Sequence, residues 1–130
     1  MKMNSKKVVG DLGEQTACKF LKKNKYKIVC NNYSNKFGEI DIICENKAYI
    51  VFVEVKTRKK GTLVSGVHAV NKKKQLNIFK TADAYIKENP VNKQPRFDII
   101  EVEYDVANNS ATVLEHYIDA FSQGGNYAVF

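Results

Sequence analysis

Asp41, Glu54 and Lys56 are the residues whose types and spacing could carry chemistry. They lie in two short runs, residues 38–43 and 51–58, that otherwise read as buried β-strand. An unpaired carboxylate in an apolar interior is costly, so such groups persist when paired, hydrogen-bonded or bound to a metal. Side chains alternate across a strand, so Phe52, Glu54 and Lys56 share one face, and Val51, Val53 and Val55 share the other. Asp41 shares its face with Glu39 and Ile43 by the same count. If the two strands pair as a hairpin, Asp41 and Glu54 lie side by side, and repulsion between them calls for a proton or a cation. A hard cation, Mg²⁺ or Mn²⁺, suits carboxylate oxygens, with the Val55 carbonyl as a further ligand. Lys56 then points at the same spot, where it could orient or deprotonate a water on the cation.

Three readings compete for this constellation. The simplest is a cross-strand ion pair of Lys56 with Asp41 or Glu54, because acid-x-lysine is common on strands. A glycosidase-type acid pair also uses two carboxylates, but the chain is basic and holds no tryptophan to stack on sugars. The metal-assisted phosphodiester reading draws support from the cations around the site. Arg58, Lys59 and Lys60 follow it at once, and Lys72, Lys73 and Lys74 come next. Such groups suit a nucleic-acid backbone, although each lysine run alone reads more often as a solvated face.

The elements that must position these groups follow from periodicity. Residues 5–24 read as a helix capped by Ser5, with Val9, Leu12, Gly13, Thr16, Ala17 and Phe20 at helical spacing. Glu14 falls at the margin of that stripe, and Gly10 and Gly13 point to close approach. A short strand spans 26–30, and Asn31, Asn32, Ser34 and Asn35 mark a turn. Further strands span 39–44 and 47–57, with a turn at Glu45 and Asn46. Short connections make these three strands an antiparallel meander. A polar loop fills 58–66. A second helix spans 67–88, with Val67, Ile78, Ala82, Tyr85 and Ile86 on its buried face and Pro90 beyond its end. Strands at 97–104 and 111–117 complete the order αβββαββ, an α/β (α+β) chain with a mixed sheet.

The bulk numbers bound the function classes. The chain has 130 residues, enough for one domain with a real core. Its 21 basic and 14 acidic residues give a net charge of +7, which favours a polyanion partner, nucleic acid first. Cys18, Cys30 and Cys44 are odd in number and form no Cys-x-x-Cys, so they read as reduced packing residues of a cytoplasmic protein. No apolar run is long enough to span a membrane. His68 and His116 are too few and too scattered for a histidine-based site and read as a surface and a strand residue. Arg96 and Asp98 flank Phe97 on one strand face and read as structural support. Tyr26, Tyr33, Phe37, Tyr49, Phe52, Phe79 and Tyr85 read as core.

The chain resembles the YraN family of bacterial proteins. The resemblance rests on Gly10-x-x-Gly13-Glu14-x-x-Ala17, Gly38-Glu39-Ile40-Asp41, residues 52–58, Arg96-Phe97-Asp98 and Ala120-Phe121. It covers residues 7–121. That family is similar in turn to the PD-(D/E)xK nucleases, above all the archaeal Holliday-junction resolvases. The resemblance implies a restriction-endonuclease-like core; a single domain is expected over residues 1–121, and the Ser-Gln-Gly-Gly-Asn run after Phe121 reads as a flexible tail at 122–130. It implies that Asp41 and Glu54 hold metal, that Lys56 is catalytic and that Glu14 completes the acidic cluster. Gln75 matches a polar site position on the second helix. The implied partner is branched DNA, gripped through Arg58 and the lysine runs, and the implied assembly is a homodimer. Ile40 stands where the superfamily pattern has proline, and Ser34 stands where a basic residue is expected. A nucleic-acid-binding module that does not cut, and a scaffold with an architectural ionic cluster, are the competing functions.

Overall fold

The computed structural model describes residues 6–62 and 70–122. Helix α1 (Lys6–Lys23) is followed by β1 (Lys27–Asn35), β2 (Gly38–Glu45) and β3 (Tyr49–Lys59), then by α2 (Lys72–Glu88), β4 (Gln94–Asp105) and β5 (Ser110–Tyr117). The order αβββαββ therefore holds. The strands form one mixed sheet in the order β1-β2-β3-β4-β5. Neighbours are antiparallel except β3 and β4, which are parallel from Tyr49↔Gln94 to Lys59↔Tyr104.

The sheet is apolar on both faces, so each face needs a helix. Ile78, Phe79, Ala82 and Tyr85 of α2 pack on Ile43, Phe52, Phe97 and Ile99. On the other face Ala17, Cys18 and Leu21 of α1 pack on Ile42, Val51, Val53 and Ile100. Phe52, Phe97, Phe79 and Phe121 form a chain of ring contacts beneath α2, with centroids 4.8–5.7 Å apart.

Several sequence expectations change. β1 runs through Asn31–Asn35 instead of turning there, because Asn31, Tyr33, Ser34 and Asn35 all pair with β2. The turn is Lys36–Phe37, fixed by Asn35 Oδ1 accepting from the Phe37 N–H at 2.9 Å. The register shift of this pair lies between Ile28 and Cys30, and Asn32 has a positive φ of 52°. β3 extends through Arg58 and Lys59, because parallel pairing with β4 continues that far. α2 starts at Lys72, where the Asn71 side chain accepts from the Lys74 N–H and caps the helix. Ser5, Gly66, Val67, His68 and the tail from residue 123 lie outside the described residues. Phe37 is exposed, not core. The three cysteines are free. Among the described residues no helix is long and apolar enough to cross a membrane.

A candidate ionic site where β2 leaves β3

The site forms where a strand pairing stops. β2 and β3 pair from Glu45↔Ile50 to Ile42↔Val53 and no further. Ile40 packs under α2 and Ile42 under α1, so regular alternation breaks at Asp41. Asp41 thus stands at the break and not on the face predicted for it. Its Oδ2 accepts from the Val55 N–H at 2.8 Å, so the carboxylate takes over where backbone pairing ends. This bond brings Asp41 to the Val55 peptide, the segment expected to supply a carbonyl ligand.

On the α2 side of this break lie Glu54, Lys56 and Lys74. Glu54 is buried, with 7% of its surface exposed. Its Oε1 lies 2.9 Å from Lys74 Nζ and 3.5 Å from Lys56 Nζ. The two amines also contact each other. Burial, and then the neighbouring Lys74, lower the pKa of Lys56. Burial works in the same direction on Lys74, but its contacts with Lys56 and Glu54 outweigh it and raise its pKa. The pair therefore favours a charged Lys74 beside Lys56, whose amine is the easier of the two to deprotonate.

On the α1 side stands Glu14. Its carboxyl contacts the Asn32 and Asp41 side chains, and burial raises its pKa. α1 reaches this depth because Gly13 has no side chain: a Cβ there would collide with Thr57 Oγ1 of β3. Gly10, also expected at a close approach, has open space around its Cβ position. Asp41 is the link between the two halves. Burial, the Glu54 charge and the Glu14 charge push its carboxyl up to about 7, against relief from the Val55 N–H and Lys74. Glu14 meets Asp41 and not Glu54 or Lys56, so the four predicted residues form two linked pairs.

The other predicted residues separate into groups. Gln75 is buried on α2, as expected, but its Nε2 donates to the Val70 carbonyl at 3.0 Å and not toward the carboxylates. Arg58 is tied into the fold: Nη1 donates to the Thr62 carbonyl at 2.9 Å, and Nε lies 3.9 Å from Glu101 Oε2. Lys60 pairs with Asp105 at 3.5 Å. Lys59, Lys72 and Lys73 are exposed. Lys74, grouped with the phosphate-binding lysines by sequence, belongs to the carboxylates instead. The spacing Lys74-Ile78-Ala82 puts it on the buried face of α2, a signal already contained in the face marked by Ile78 and Ala82. Asn32, which holds Glu14, was read as a turn residue.

Asp98 anchors a second ionic cluster beneath α1, away from this break. It is fully buried and accepts from Arg96 Nε and Nη2 at 2.9 and 2.7 Å and from the Asp119 N–H at 3.0 Å. His116 Nε2 lies 2.8 Å from its Oδ2. Arg96 also donates to the Tyr26 hydroxyl at 2.7 Å and lies over the Tyr49 ring at 4.8 Å. Both Asp98 oxygens accept two bonds or contacts each, the arrangement of a buried structural ion pair.

The donors at the break fit a hard cation in kind. Two carboxylates, Asp41 and Glu54, share excess negative charge that an ammonium now offsets in part. Among the described residues no three His, Cys, Asp or Glu side chains converge as a metal cluster. A cation held here would draw remaining ligands from carbonyls and water, which magnesium accepts.

Fold and site together define a mixed-sheet α/β chain with helices on both faces and an acid-x-lysine strand beside a helix-borne acid. The family that matches is UPF0102, described as an uncharacterised protein family, over residues 13–102. The chain belongs to that family, the one read from the sequence as YraN. A UPF0102 protein of Caldanaerobacter subterraneus subsp. tengcongensis is 43% identical over 122 residues, covering 93% of this chain and all of the relative. One from Clostridium acetobutylicum is 45% identical over 105 residues, covering 80% of this chain and 86% of the relative. One from Desulfosudis oleivorans is 38% identical over 119 residues, covering 91% and 95%.

Proposed function

We propose that the protein is a metal-dependent endonuclease acting on DNA, with branched structures as its preferred substrate. The observation that carries this reading is the meeting of Glu54, Lys56 and Lys74 at the break where Asp41 captures the Val55 N–H. An ion pair that served only as a strut would need one acid and one amine. Here two acids with a mutual charge conflict stand beside two amines.

Asp41 and Glu54 would hold Mg²⁺ or Mn²⁺, with the Val55 carbonyl near them. The bound cation would supply stabilisation of developing charge on the phosphoryl oxygens. Lys56 would take a proton from the attacking water; burial and then the adjacent Lys74 lower its pKa and favour its free amine. Glu14 stands by Asp41 and shapes the charge of that carboxylate. Lys72 and Lys73 are exposed at the start of α2, where lysines and helix dipole both favour phosphate.

The test is cleavage of a panel of branched and linear DNAs with Mn²⁺. Glu54→Ala and Lys56→Ala should abolish cutting while DNA binding survives. Binding without cutting under every divalent ion would sink the nuclease reading in favour of a non-catalytic DNA-binding module. One observation favours an architectural role, namely that both amines already compensate Glu54. That reading predicts no DNA binding and an unfolded Lys56→Ala chain.

A further inference from the structure

An open groove of about 730 Å³ lies between the second half of α1 and β5. Its floor includes Phe20 and Val113, and its rim carries Lys19, Lys22 and Lys23. Among the described residues no acidic side chain lines it. Thr16, Phe20 and Lys23 recur at helical spacing along one face of α1, so the groove follows the helix axis. β5 is an edge strand of the sheet.

We propose that this groove docks an acidic, extended segment of a partner protein that inserts one large apolar side chain between Phe20 and Val113. The chemistry points there on three grounds. The charged residues of the lining are three lysines, so carboxylates flanking the apolar side chain find complementary charge. The floor is apolar, which a phosphate backbone leaves unused and an aromatic or leucine anchor buries. A second copy of this chain is disfavoured, because a two-fold contact through this groove would set its lysines against their own copies. The edge of β5 offers backbone pairing to a peptide lying alongside. The proposal holds whether or not the ionic site cuts DNA.

The test uses the full chain and a fluorescein-labelled peptide of sequence Asp-Glu-Asp-Phe-Asp-Glu-Leu-Asp. A copy with its Phe and Leu replaced by Ala, and a short oligothymidylate, serve as competitors. Saturable binding of the first peptide is expected, with the alanine copy about tenfold weaker and Lys22→Glu weakening the first peptide about tenfold. Backbone amide shifts should move along residues 16–23 and 112–113. Lys22 is exposed, so the variant should melt like the parent. Equal binding of the alanine copy would overturn the proposal by showing charge attraction alone. So would the absence of saturable binding, or shifts confined to other surfaces. Displacement by oligothymidylate, with its own affinity lowered about tenfold in Lys22→Glu, would assign the groove to nucleic acid instead.

Discussion

Lys74 of α2 sets its Nζ 2.9 Å from Glu54 Oε1 of β3, closer than Lys56, which sits two residues along from Glu54 on the same strand at 3.5 Å. The helix therefore delivers the main counter-charge to a carboxylate that the sheet buries. Lys74→Met should cost roughly 1 kcal/mol of stability without divalent ion, because the Lys74 head is partly solvated. Urea denaturation with and without excess Mg²⁺ checks this. If a cation occupies the carboxylates, the loss should shrink when Mg²⁺ is present. An unchanged loss would mean that Lys74 is purely a strut.

Asp41 gives a pH signature. Its folded-state pKa of about 7 lies above its ordinary 3.8, so the folded chain binds the extra proton between those values. Stability from this group is full below pH 3.8 and is lost as pH rises through 7. Asp41→Asn keeps an oxygen for the Val55 N–H and removes the charge. It should stabilise the metal-free chain at pH 8 by on the order of 1–3 kcal/mol, with the gain vanishing near pH 4. Chemical denaturation at the two pH values measures it. A variant less stable than the parent at pH 8 in chelator would contradict the charge conflict.

Gly13 and Gly10 make a matched pair. A methyl at position 13 meets Thr57 Oγ1, and a methyl at position 10 meets nothing. Gly13→Ala should destabilise by about 1–3 kcal/mol and move Glu14 away from Asp41. Gly10→Ala should stabilise by roughly 0.5–1 kcal/mol through helix propensity. Thermal melts of both, and of Gly13→Ala combined with Thr57→Ala, decide the point, since removing the threonine hydroxyl should restore part of the loss.

Asp98 predicts the acid limb of the stability curve. Burial alone would raise its pKa, but hydrogen bonds from His116, Arg96 and the Asp119 N–H hold it below the usual carboxylate range. Its stabilisation is present above pH 3.8 and is lost as pH falls through the depressed folded value. Asp98→Asn leaves Arg96 buried without its charge partner and should cost about 3 kcal/mol or more at pH 7. Circular dichroism during acid titration should show the variant losing its structure at higher pH than the parent.

Much of this architecture is legible in the sequence because local rules and tertiary demands agree. Period-two alternation placed Glu54 and Lys56 together on the α2 face, and helical spacing placed Glu14 beside the sheet. The misreadings fall where two rules compete. Asn31, Asn32 and Asn35 carry turn chemistry, yet pairing with β2 holds them in a strand. Asp41 breaks alternation because the backbone pairing ends beside it, an event that spacing does not encode. Lys74 sits in a run of three lysines that reads as a solvated face, although its spacing to Ile78 and Ala82 puts it on the buried side of α2. The bond between Arg96 and Asp98 is an i, i+2 pairing on one strand face, visible once that strand is recognised.

The chain order of the sheet also fixes an order of assembly. β1, β2 and β3 are joined by tight turns, whereas β4 reaches β3 only after α2 has been made. On a ribosome, Asp41 and Glu54 therefore come within reach of each other before Lys74 has emerged. The nascent hairpin must carry two neighbouring anions with no helix to neutralise them. If these carboxylates take a divalent ion, that ion would also aid folding, and refolding followed by pulsed amide exchange should then show earlier β2–β3 protection when Mg²⁺ is supplied.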